Sequence, residues 1–251
     1  MAGYIMPTPS QKISFSETQI DKLVEIFNNS IYGIYEEQDN KYFKKGLAVE
    51  EDSRTLYSRV TKRLFIKNNQ RITNDYITGE WDMHIERLGV IDEIVDLKSS
   101  YSKNTFDKSR VKKMNMIYYW QLQCYMWLTG AKSSTLAYCL VNNTGKAIRD
   151  EKYRLSFKQG MQDENEVFTD LYYKKCQQIE RNNIFDLDLF IKHNQGFEFD
   201  TPENKRDFNI PMKERVYAIT IERNEDEIEA LKNRIIDCRQ WITENLLTNN
   251  N

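Results

Sequence analysis

The stretch Trp81-Asp82-Met83-His84-Ile85-Glu86-Arg87-Leu88-Gly89-Val90-Ile91-Asp92-Glu93-Ile94-Val95-Asp96-Leu97-Lys98 sets the architecture of this chain. It reads as two strands, Trp81–Ile85 and Ile91–Leu97, separated at Gly89; Tyr76-Ile77-Thr78, before Gly79, reads as a third. On a strand, residues two apart face the same side. Asp96 and Lys98 therefore project together, while Val95 and Leu97 point into the core. Asp82 comes from the preceding strand of the same antiparallel meander, so its carboxylate can meet that of Asp96. An acid and a lysine at the end of a buried strand are costly unless something uses them. Two carboxylates converging near a lysine repel each other without a cation between them. Oxygen ligands of this kind suit Mg²⁺ or Mn²⁺. The alternative is an ordinary Asp–Lys surface pair, because D-x-K alone is a common pattern.

Outward from this core, Met116–Leu128 reads as a strongly apolar helix closed by Gly130. Ser134–Val141 reads as another strand, and the polar, basic segment Ser99–Lys113 as a loop or short helix. Upstream, Ser16-Glu17-Thr18-Gln19 opens a helix carrying Ile20, Leu23, Val24 and Phe27. A longer helix is expected from Lys41 to Lys67, with Leu56, Val60 and Leu64 on its buried face. Downstream, the expectations are a helix Glu164–Arg181 with Val167, Phe168, Leu171 and Ile179 inside, a strand Val216–Ile221, and a last helix Glu225–Leu247. Residues 1–15 read as a loosely ordered arm and Asn249–Asn251 as a frayed tail. The whole predicts an α/β domain, a mixed central sheet with an antiparallel meander flanked by helices.

The chain has 251 residues and a mass of 30.0 kDa, which suits a single domain. With 40% hydrophobic residues, 29% charged, and only 9 Gly and 4 Pro, collagen-like, low-complexity and wholly disordered classes are excluded. Cys124, Cys139, Cys176 and Cys238 contain no CxxC pair, and read as buried thiols in a reducing compartment. No apolar run reaches the 18 residues or so that would span a bilayer, and the first residues carry no signal-peptide pattern, so a cytoplasmic protein is expected. The net charge of -2 hides an asymmetry. From Lys98 to Arg149 there are nine basic residues against the single acid Asp107. That is the pattern of a polyanion-facing surface on an acidic body, or of a solvated loop with basic helix ends.

In combination these elements are more specific. Gly79-Glu80-Trp81-Asp82, Asp96-Leu97-Lys98-Ser99-Ser100 and Gln121-Leu122-Gln123-Cys124-Tyr125 resemble the PD-(D/E)xK nuclease superfamily, in its RecB-like and lambda-exonuclease (YqaJ-like) branch. Gln121 and Tyr125 match the Q-x-x-x-Y helix; the proline of the P-D element is absent, with Trp81 in its place. Lys45-Gly46-Leu47-Ala48-Val49-Glu50 resembles the helix that supplies this branch with a further glutamate, four residues after a glycine. That spacing picks Glu50, with Glu51 as the runner-up. The resemblance covers residues 41–141, and implies a restriction-endonuclease-like catalytic core there within a single nuclease domain over 1–251, with 160–247 a helical extension carrying one strand.

The resemblance further implies a Mg²⁺-dependent DNA exonuclease of phage or prophage type, acting in recombination or DNA processing in the cytoplasm of a bacterial host, with Mn²⁺ as a substitute. Asp82, Asp96 and the Leu97 backbone carbonyl would hold one cation, and Glu50 would help hold a second or orient the first. Lys98 would position or deprotonate the attacking water, Gln121 would bond near the nucleophile or the phosphate, and Tyr125 would support Gln121 or contact the DNA backbone. Lys108, Arg110, Lys112 and Lys113 would contact DNA phosphates near the cleft. Some RecB-like nucleases add an iron–sulfur cluster; the four scattered cysteines lead us to expect none. An annealing protein and a trimeric ring are the partners this branch suggests, and no membrane is expected. In the last helix, Ile228, Leu231, Ile235, Cys238 and Ile242 form a 3-4 seam that either packs on the domain or joins subunits. The rival functions are a site- or structure-specific endonuclease on the same fold, and a catalytically silent DNA-binding or assembly protein.

Overall fold

The computed structural model describes residues 2–7, 15–34, 40–202 and 207–248. Asn249–Asn251 and residues 8–14 of the expected arm lie outside them.

The hairpin at the heart of the sheet joins β4 (Met83–Arg87) to β5 (Val90–Ser99). Leu88 and Gly89, with φ of 52° and 78°, make its two-residue turn. Two successive left-handed residues match the twist of the flanking strands, and Gly89 adopts that conformation without strain. On its other side β5 pairs in parallel with β6 (Ser133–Cys139). The crossover between them is α5 (Lys103–Val111) and α6 (Met116–Thr129), with Gly130 left-handed at the α6 C-terminus. β6 pairs antiparallel with β7 (Val216–Glu222), and β1 (Ile66–Lys67) adds to β4. The order among the described residues is β1-β4-β5-β6-β7, a mixed central sheet.

Helices cover both faces. Ile94 and Leu136 face α5 and α6, in a cluster with Trp81, Phe106, Leu122, Tyr125, Met126 and Tyr138. Val95, Leu97, Ala137 and Cys139 face α4 (Glu50–Thr61), against Val49, Leu56 and Tyr57. The alternation along β5 thus separates the two halves of the core.

Several elements differ from the sequence-based expectation. The helix expected over Lys41–Lys67 is two helices, α3 (Lys41–Ala48) and α4, broken at Val49. Val49 leaves helical torsions (φ -122°, ψ 18°) and buries its side chain in the core. A left-handed Lys62 then ends α4, so Leu64 is 96% exposed and Ile66–Lys67 is a strand. Tyr76–Thr78 is not part of the sheet: β2 (Ile72–Thr73) and β3 (Thr78–Gly79) form a separate two-stranded ribbon. Gly79 lies so close to α6 that a Cβ there would meet Leu128 Cδ1 at 2.8 Å and the Tyr125 ring at 3.1 Å.

Downstream, α7 (Gly145–Ser156) and α9 (Leu187–His193) have no counterpart in the sequence pattern. The helix expected from Glu164 starts only at Asp170, as α8 (Asp170–Asn183) capped by Thr169. Val167, Phe168 and Leu171 are exposed, since Phe168 bridges back to Gln162 in a turn instead of entering the helix. Of the expected arm, residues 2–7 are held in place. α1 (Ala2–Ile5) buries Ile5, and the Ile5 carbonyl accepts from Gln19 Nε2 of α2 (Glu17–Tyr32) and from Arg234 Nε. The seam of α10 (Glu225–Ile242) packs inward: Leu231, Ile235 and Cys238 join Ile5, Leu23 and Cys124. No described helix is long and apolar enough to cross a membrane.

Candidate active site

β4 begins only at Met83, which pairs with Val95, and the register carried one step back along the chain sets Asp82 opposite Asp96. β5 runs on to Ser99, leaving its main chain without a β4 partner beyond Val95. The Asp82 carboxylate fills that gap: Oδ2 accepts the Leu97 N–H at 2.5 Å. Its own carbonyl accepts the N–H of Asn68 at 3.0 Å. Trp81, buried next to it, donates Nε1 to His84 Nδ1 at 3.1 Å and packs near Tyr125. Asp82 is therefore pinned from both sides of the chain.

Asp96 is only 3% exposed, and its Oδ2 lies 2.5 Å from Lys98 Nζ. The Lys98 ammonium meets this buried oxygen as a close ion pair without a well-directed hydrogen bond. Burial, then the charge of Asp96, pushes Asp82 up to about 7, against the Leu97 N–H and Lys98, which pull it down; Glu50 adds a smaller upward push. Burial alone would lower Lys98, but the charge of Asp96, with Asp82 behind, raises it above the ordinary lysine range. Lys98 thus stays an ammonium at neutral pH.

α6 contributes from above. Gln121 Nε2 donates to the Tyr125 hydroxyl at 2.7 Å, and burial, then the Asp96 charge, pushes that phenol up. Glu50, in the first turn of α4, lies 3.3 Å from Arg54 Nη2. Glu51 also pairs with Arg54, at 2.5 Å, and with Lys67, at 3.4 Å, on the solvent side. Of the two, Glu50 is the one whose charge acts on Asp82. No group of three His, Cys, Asp or Glu side chains gathers tightly enough among the described residues to hold a metal by itself. The structure brings Asp82, Asp96 and Lys98 together, sets Tyr125, with Gln121 bonded to it, near them, and leaves Glu50 on Arg54.

The donor set fits a hard divalent cation. Its oxygens are carboxylates, Asp96 Oδ2 makes no well-directed hydrogen bond, and Asp82 resists ionising beside Asp96. Asp82, Asp96 and the Leu97 carbonyl are the groups that would hold it.

No family model and no curated protein matches the sequence. Solved structures do match. A phage-related exonuclease from Haemophilus somnus 129PT superposes with a TM-score of 0.65 at 19% identity, over 97% of this chain and 91% of that one. The alkaline exonuclease LHK-Exo from Laribacter hongkongensis gives 0.57 at 11% identity, over 97% and 85%. LHK-Exo in complex with dAMP gives 0.56 at 11%, over 97% and 87%. This chain has the phage-type exonuclease fold.

Within the exonuclease fold, α5 starts four residues beyond the end of β5 and is anchored by the fully buried Phe106. Lys108, Arg110, Lys112 and Lys113 are all exposed. Arg110 pairs at 3.9 Å with Asp107, and the other three have no ion pair among the described residues.

Lys45 escapes a reading of the sequence. It is buried, and its Nζ donates to the carbonyls of Ser100 (2.7 Å), Tyr101 (3.1 Å) and Val141 (2.9 Å). It ties α3 to the carboxyl ends of β5 and β6, just beyond Lys98. Burial pulls it down to about 7. Nothing in the local sequence distinguishes it from solvated lysines such as Lys41. Tyr118, in the aromatic run of α6, packs on the core cluster with its ring under Lys98 Nζ, 4.9 Å from the centroid. Its spacing from Gln121 and Tyr125, three and seven residues, is a usable signal.

Proposed function

We propose that this chain is a Mg²⁺-dependent deoxyribonuclease that degrades linear duplex DNA from an end, in phage or prophage recombination or DNA processing in a bacterial cytoplasm. The observation that carries this reading is the convergence of Asp82, Asp96 and Lys98 at the end of β5 in an exonuclease fold. A divalent cation at Asp82 and Asp96, Mg²⁺ or in its place Mn²⁺, supplies a water of lowered pKa and neutralises phosphate charge. The protein's own groups do the rest. Lys98, held beside the carboxylate pair, positions or deprotonates the attacking water and places its charge toward the phosphate. Gln121, held by Tyr125, presents its amide beside the same site. Glu50 biases the carboxylate pair from the α4 N-terminus. Lys108, Arg110, Lys112 and Lys113 meet the DNA backbone without reading bases, which suits degradation of any sequence. A homo-oligomer and an annealing partner belong to the same reading; light scattering with and without DNA tests the first.

The test is digestion of end-labelled linear duplex and of a closed circle, with and without Mg²⁺. Linear DNA is expected to be lost only with the cation, and the circle spared. Asp96→Asn and Lys98→Gln are expected to lose at least about a hundredfold in rate, with circular dichroism unchanged. Nicking of the circle would establish an endonuclease instead. Activity within tenfold of wild type in a folded Lys98→Gln protein would end this reading of the site.

A further inference from the structure

The Lys98 ammonium has two neighbours of different kinds: the Asp96 carboxylate at 2.5 Å and the face of the Tyr118 ring, 4.9 Å from its centroid. The second distance lies well inside the range of a cation–π contact. We infer that Tyr118 is the positioning residue for Lys98, its ring holding the ammonium in place while Asp96 is engaged elsewhere. This rests on the proposed nuclease reading and adds a residue to it.

Three observations carry it. Tyr118 stands on the side of α6 that presents Gln121 and Tyr125, one turn nearer the helix N-terminus. Its ring is partly buried and packs on the cluster of Trp81, Tyr125 and Tyr138, so it cannot swing freely. In the sheet, Lys98 is in register with Tyr138, and Tyr138 with Tyr217, whose ring stacks on it at 6.3 Å and 20°. The lysine thus lies at the end of a row of rings whose geometry is set by packing.

The chemistry explains why a ring is useful there. A lysine stem is flexible, and something must restrain it for its charge to sit in one place. Asp96 alone is a poor restraint, because a cation bound to that carboxylate competes with the ammonium for it and repels it. A neutral ring attracts the ammonium through its quadrupole and offers no oxygen for the cation to take. The contact at Tyr118 therefore persists through binding of the cation, whereas the one at Asp96 weakens.

The test replaces Tyr118 by Phe, by Leu, and by phenylalanines carrying one, two and three ring fluorines, which keep the shape while draining the ring's negative face. Tyr118→Phe should stay within about threefold of wild type, and Tyr118→Leu should lose about tenfold in kcat with little change in KM. Across the fluorinated series, log kcat should fall steadily with fluorine number. In the metal-free protein, the Lys98 ε-methylene should show an upfield ring-current NMR shift that Phe keeps and Leu abolishes. Equal kcat for Phe, Leu and the fluorinated proteins, or the absence of that shift in wild type, overturns the inference. A Leu variant that fails to fold leaves the fluorinated series to decide. A wild-type protein that cleaves no DNA removes the proposed function and the positioning role with it, while the ring-current shift still reports whether the contact exists.

Discussion

The Asp82 carboxylate accepts the Leu97 main-chain N–H at 2.5 Å, so one acid of the candidate site is bonded to the strand that carries the other. Had β4 begun two residues earlier, the Trp81 main chain would stand opposite Leu97 and take that position. Its late start at Met83 is what admits a side chain, and the carboxylate pair follows.

Asp82 gives the metal-free protein a pH-dependent weakness. Its folded pKa of about 7 stands above the ordinary 3.8, so the folded state keeps the proton where the unfolded state has released it. Stability is then fully present below about 3.8 and is lost as pH rises toward 7. Asp82→Asn, which cannot ionise, should be more stable than wild type in EDTA at pH 8, on the order of 2–4 kcal/mol. The gap should shrink as pH falls toward 5. Urea unfolding at both pH values checks this, and a variant less stable than wild type at pH 8 would refute it.

Glu50→Gln should reduce cleavage at least about tenfold more than Glu51→Gln, as expected for a charge acting directly on the site. Glu50 acts on Asp82, whereas Glu51 points to Arg54 and Lys67 at the surface. Single-turnover rates measure the difference. Equal, mild effects would make this end of α4 a solvated acidic face.

DNA binding should be steeply salt-dependent through Lys108, Arg110, Lys112 and Lys113. Removing one phosphate-binding cation should lower the slope of log affinity against log salt by about 0.9. A quadruple alanine variant with wild-type affinity and slope would mean that the duplex runs elsewhere.

The α10 seam predicts a core helix. Leu231 is fully buried against Ile5, Leu23 and Cys124. Leu231→Ala should cost about 2–5 kcal/mol in urea unfolding, and deletion of residues 225–251 should leave an aggregating or unfolded protein. A soluble, folded truncation would instead make α10 an interface element.

The parts of this protein legible in its sequence are those whose cause is local. The alternation of β5 puts Asp96 and Lys98 on one face and Val95 and Leu97 on the other, and the four-residue spacing of Gln121 and Tyr125 puts them on one side of α6. Gly130 marks the end of that helix. Where polarity hides the period, as in α7, or where an apolar run crosses a break, as at Val49, the local signal fails. Tertiary structure alone decided the rest. Lys45 is an ordinary lysine until folding brings the carbonyls of Ser100 and Val141, 55 and 96 residues away, around it. Asp82 finds the Leu97 N–H only because β4 begins at Met83 while β5 continues past its partner Val95, and Lys98 meets Tyr118 only because the crossover lays α6 across the strand. Periodicity is a property of neighbouring residues and can be read from them; burial and pairing are properties of the packed chain, and exist only once distant segments have excluded water together.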